Sequence, residues 1–128
     1  MTWQLIVVAG FFLSIGVYVL ARPANTLDIM NIPIESADGR NEMRAVYGGM
    51  CLAIGGALLW APSLEALGQG ITIAITLQLV GMVLGRLWSF AAEHKLGKGP
   101  LLFLALEAIC VALLESHADI SGLLGGEV

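Results

Sequence analysis

Long apolar runs alternate with short polar breaks, and four runs come near the ~20 residues that cross a bilayer core. They predict spanning helices over about 3–21, 43–61, 71–92 and 100–118. The predicted fold is all-α: an integral membrane four-helix bundle, with residues 1–128 forming a single four-span domain. The first span stops at Arg22-Pro23, because the residue before a proline is pushed out of helical geometry. Trp3 and Tyr18 stand near its two ends, where amphipathic aromatics gather in membrane proteins.

The second run opens as a polar cluster and becomes apolar and glycine-rich. At 100° per residue Asn41, Arg44, Gly48, Cys51, Gly55 and Gly56 share a face, with Gly49 at its shoulder. Met43, Val46, Met50, Ile54 and Leu58 cover the opposite side. In the third run Ala74, Gln78, Gly81, Gly85, Ser89 and Ala92 fall together, Gly81 and Gly85 at the G-x-x-x-G spacing. Lipid gives helices no hydrophobic reason to associate, so small-residue faces mark where backbones approach closely. Both glycine faces are therefore expected to line the interior. Gly10 and Ser14 make a smaller pair of the same kind in the first span.

The connections differ in character. Residues 22–43 are too long for a featureless loop, and they carry Leu27, Ile29, Met30, Ile32 and Ile34, interrupted by Pro33. A short segment lying against the membrane or the bundle is expected there. Asp38-Gly39 reads as a turn and Asn41 as a cap for the second helix. Trp60 and Pro62 close that helix, Pro100 suits the start of the fourth, and the glycine-rich tail after Ala118 reads as loosely ordered.

Composition agrees with a membrane protein: 58% of residues are hydrophobic and 12% charged, against ~25% charged in a soluble domain. The net charge of −4 hides a pattern that matters more. All six basic residues, Arg22, Arg40, Arg44, Arg86, Lys95 and Lys98, lie in or near the first and third connections. The positive-inside rule then places those connections in the cytoplasm and both termini outside, in the periplasm. No basic run suggests nucleic acid as a partner. The N-terminus lacks the basic region of a signal peptide, so the first run reads as a true span. Cys51 and Cys110 both fall within spans and read as buried thiols; a disulfide would require neighbouring helices and a short Cα separation.

Charges inside a span are costly and are normally paired or functional. Arg86 and Glu107 each lie about 10 Å from the same membrane surface, on consecutive antiparallel helices, so they are expected to touch. Asn41, Arg44, Arg86 and Glu107 form the candidate ligand-binding set, with Glu93 and His94 at the same mouth. Tyr47 falls towards lipid by angle and suits the aromatic belt. Metal and cofactor sites are not expected. His94 and His117 are assigned to opposite faces, and there is no phosphate-binding loop, dinucleotide fingerprint or helical H-E-x-x-H. Glu115, His117 and Asp119 cluster in sequence, but the histidine points away from the two carboxylates.

The motif N-x-x-R-A-x-Y-G-G at 41–49, together with L-G-R at 84–86, resembles a family of uncharacterised bacterial membrane proteins. Size and helix count are also similar to the broader DoxX-like group. The resemblance implies a four-helix bundle in a bacterial inner membrane and implies no reaction, because the family is one of unknown function. Three functions remain open from the residues. The favoured one is a non-enzymatic protein holding a lipid or small apolar molecule between its helices. The others are a scaffold subunit of a homo-oligomer or larger membrane complex, and a small membrane enzyme using Glu107 as acid or base.

Overall fold

The structure, a computed structural model, describes residues 1–118; the glycine-rich tail and Asp119 lie outside the described residues. Four helices run in sequence: α1 (Trp3–Ala21), α2 (Ala37–Ser63), α3 (Glu65–Glu93) and α4 (Lys98–Ala118). Each is long and apolar enough to cross a membrane, and there is no strand among the described residues. The chain is therefore an all-α, multi-pass bundle. All six basic residues lie on the half that holds the α1–α2 and α3–α4 connections, called the basic end below. At the opposite end Thr2 Oγ1 and His117 Nδ1, 2.7 Å apart, are hydrogen-bonded and tie α1 to α4.

Helix α2 departs from expectation in two ways. It starts at Ala37, capped by Ser36, whose Oγ accepts from Gly39 N–H at 2.9 Å. Asp38 and Gly39 are thus inside its first turn, and Asn41 is a helical residue without a capping role. Over Arg44–Gly49 the helix then widens into a π-helix. Such a turn holds more residues than an α-turn, so everything beyond it is rotated relative to a uniform 100° wheel. Beyond it Cys51, Ile54, Gly55 and Leu58, at i, i+3, i+4 and i+7, make one buried face, so Ile54 and Leu58, assigned away from the glycine face, turn inward; Met43, which precedes the π-helix, is buried as well.

One core joins the four helices. Leu5, Val8, Ala9 and Phe12 of α1 meet Cys51, Ile54 and Leu58 of α2, Ile75 and Leu79 of α3, and Cys110 and Leu114 of α4. Both cysteines are free thiols. Helices α1 and α2 pack closely, and leucines of each helix sit over glycines of the other. A Cβ on Gly16 would lie 2.7 Å from Leu52 Cγ, and one on Gly55 would lie 2.6 Å from Leu13 Cγ. Leu20 covers Gly48 in the same manner. Glycine supplies the missing volume that lets these backbones close, as small residues do inside membranes.

The glycine face of α3 is turned the other way. Gly81 and Gly85 are exposed, and a Cβ on either would meet nothing within 4 Å. The same holds for Gly10 and Gly56. Thr72, Ile75, Thr76 and Leu79 take the inward face instead. Each threonine hydroxyl donates to its own helix, Thr72 to Gly68 O at 3.0 Å and Thr76 to Thr72 O at 2.8 Å, so neither is left unpaired in the core. The glycine of α3 that makes a close approach is Gly68, which packs on the Ala61 carbonyl where the chain reverses. At the basic end Gly99 of α4 packs on the Ile29 carbonyl, drawing the α1–α2 connection over the bundle.

Candidate functional site

Arg86 lies seven residues beyond Leu79 and so shares the inward face of α3. Glu107 lies on the inward side of α4 and is 1% exposed. The two side chains meet side-on: Arg86 Nε donates to Oε2 at 2.7 Å and Nη2 donates to Oε1 at 2.8 Å. The guanidinium also stands 5.7 Å from the centre of the Phe103 ring, one turn of α4 before Glu107. The hydrogen bonds engage Nε and Nη2; among the described residues nothing accepts from Nη1.

This pair forms part of the wall of a cavity of about 330 Å³ between the helices, at the basic end. Phe11, Phe12 and Ile15 of α1 and Tyr47 and Cys51 of α2 line one side. Leu79 and Met82 of α3 and Pro100 and Phe103 of α4 line the other. Leu27, Met30 and Ile32, from the connection held down by Gly99, add a third wall. The chamber is therefore mainly apolar, with one charged pair, the Tyr47 phenol and the Thr26 hydroxyl in its wall, and its size falls at the lower end of small-molecule sites.

The proposed ligand-binding set divides. Arg86 and Glu107 line the cavity, whereas Asn41 and Arg44 are exposed and do not. Arg44 Nε reaches back to Leu20 O at 3.4 Å, tying α2 to the end of α1. Glu93 and His94 are exposed where α3 ends, His94 taking the left-handed conformation that stops the helix. Tyr47, assigned to the lipid side, borders the cavity and is also 41% exposed. The phenylalanines were not singled out from the sequence, since an apolar residue in a span can face lipid or core equally well. Among the described residues, no three of His, Cys, Asp and Glu come together to hold a metal ion.

Residues 1–115 match the family described as a domain of unknown function, DUF4345. The chain belongs to that family. The match covers all four spans up to Glu115 and thus the whole cavity, ion pair included. It lends no support to the DoxX-like similarity. No curated protein and no solved structure matches the chain.

Proposed function

We propose that this DUF4345 protein is a membrane binding protein that holds a lipid segment or small apolar molecule in the cavity beside Arg86 and Glu107. The observation that carries the reading is the pairing of an apolar chamber with one polar fixture. Apolar walls would take up the body of a ligand, and the spare N–H groups of Arg86 would fix its polar end. Both oxygens of Glu107 accept from Arg86, and the carboxylate is almost fully buried, so neither oxygen is presented to a substrate. Binding is favoured over an enzyme for that reason. The membrane would be a bacterial inner membrane, with the basic end in the cytoplasm and both termini in the periplasm.

Native mass spectrometry of protein purified in mild detergent tests this. The wild type should retain a bound mass that disappears in Ile15→Trp, which fills the chamber. Reporter fusions at residue 1 and in the 94–97 turn test the orientation, and cytoplasmic activity at the N-terminus would refute it. A wild type that is empty, and stays empty after incubation with total membrane lipid, would overturn the binding reading. A second reading, a subunit of a homo-oligomer or larger membrane complex, draws on the exposed Gly81 and Gly85. A stoichiometric assembly in the same spectra, broken by Gly81→Ile, would favour it.

A further inference from the structure

A second cavity, of about 350 Å³, lies on the other side of Arg86. Met82, Gly85, Arg86, Ser89, Leu96 and Pro100 line it, and Met82, Arg86 and Pro100 belong to the inner cavity as well. Two hollows thus stand back to back between α3 and α4, with the guanidinium as part of their partition. The outer one is a groove that opens at the protein surface, where Met82, Gly85 and Ser89 are exposed. Of its lining Met82 is 39% exposed, and a Cβ on Gly85 would meet nothing within 4 Å.

Depth and charge say what such a groove would take. Helix α3 has 29 residues, or roughly 44 Å, which overhangs a ~30 Å hydrocarbon core at both ends. Arg86, about 10 Å from the basic end of that helix, then falls just inside the boundary of the hydrocarbon, within reach of the acyl ester level. Its charge is already balanced by Glu107, so the site is neutral overall while keeping uncommitted N–H donors. A neutral acceptor oxygen matches that arrangement, because an anion would meet no net positive charge.

We propose that the α3–α4 groove admits an ester-linked membrane lipid from the bilayer, with the free N–H edge of Arg86 holding an ester carbonyl and the acyl chain lying in the inner cavity. The proposal rests on the reading of the inner cavity as a binding site. Gly85 is the residue that keeps the way open: a leucine there would fill the groove without reaching the inner chamber, whose lining does not include it.

The probe is phosphatidylcholine carrying a diazirine near the end of one acyl chain, in vesicles of ordinary phosphatidylcholine holding the protein. After ultraviolet exposure the adducts are mapped by peptide mass spectrometry. Wild type should carry adducts at Phe11–Ile15 and Phe103, and Gly85→Leu should lower them about tenfold or more. Gly81→Leu, one turn away on the same face and outside the groove, serves as the folded control and should label as wild type does. Inner labelling that persists in Gly85→Leu would overturn lateral admission and leave the cavity reading standing. No inner labelling in wild type, in protein that does retain a bound mass in detergent, would overturn the ester-lipid assignment alone. No inner labelling together with an empty spectrum would overturn both. A free fatty acid bearing the same diazirine should label the chamber more weakly than the ester, and stronger labelling would overturn the neutral-acceptor argument.

Discussion

Arg86 of α3 donates to both carboxylate oxygens of Glu107 on α4, at 2.7 and 2.8 Å, from a side chain still 23% exposed, whereas that of Glu107 is 2% exposed. The asymmetry predicts unequal costs. Arg86→Gln strands a buried carboxylate and should lose about 3–5 kcal/mol of stability, the range for breaking a buried pair. Glu107→Gln should cost less, because the arginine stem can extend its charged head towards the basic end. The double variant should recover much of the larger loss. Thermal unfolding of the four proteins in one detergent reads this, and strictly additive losses would mean that the residues are not coupled.

Gly55 and Gly56 are neighbours in sequence with opposite surroundings. A Cβ on Gly55 would press on Leu13 Cγ at 2.6 Å and on Ala9 O at 3.1 Å, whereas one on Gly56 would meet nothing within 4 Å. Gly55→Ala should therefore destabilise by about 1–3 kcal/mol, the usual cost of overpacking. Gly56→Ala should be neutral or gain up to ~1 kcal/mol from helix propensity. Equal effects in a detergent unfolding assay would contradict the α1–α2 contact.

These two cases show which features were legible in the sequence. The spans were, because unbroken apolarity of that length has one common explanation in a chain with few charges. So was the ion pair, since a charge at that depth demands a partner and Glu107 was the acidic residue at the same level as Arg86. Which way each helix faces was not. In lipid, apolar residues serve the outside and the core alike, so α3 could bury Thr72 and Leu79 and expose Gly81 and Gly85 without any change of pattern. The π-helix at Arg44–Gly49 is a change of pitch that no fixed angular step anticipates, and Tyr47 within it borders the cavity while staying exposed. Asn41 and Arg44 illustrate the same limit: they are at the right end of the bundle and on its outside.

The start of α2 offers a local test. Ser36 caps the helix through its hydroxyl, whereas Asn41 is an exposed residue within it. Ser36→Ala should cost about 1 kcal/mol and speed amide exchange over residues 37–43, while Asn41→Ala should leave that exchange unchanged. Faster exchange in the asparagine variant alone would place the start of the helix at residue 41 after all.

Gly99 holds the lid segment of the cavity. It is buried at the start of α4, and any Cβ there would run into the carbonyl of Ile29. That carbonyl is backbone within the short turn Asp28–Met30, so it cannot swing aside as a flexible side chain would. Gly99→Ala must push the turn away, and Leu27, Met30 and Ile32 move with it out of the cavity wall. Alanine would favour the helix itself by up to ~1 kcal/mol, so a change confined to helix propensity predicts slower exchange in α4 and none elsewhere. The contact predicts the reverse: faster amide exchange across residues 27–32 and a weaker hold on any bound molecule. Gly97→Ala is the matched control, since its Cβ would sit 3.6 Å from Pro100 Cδ, an ordinary contact, and the connection should stay as it is. Hydrogen exchange read by mass spectrometry on the three proteins decides between the two, and an undisturbed 27–32 segment in Gly99→Ala would show that the connection is not held by this glycine.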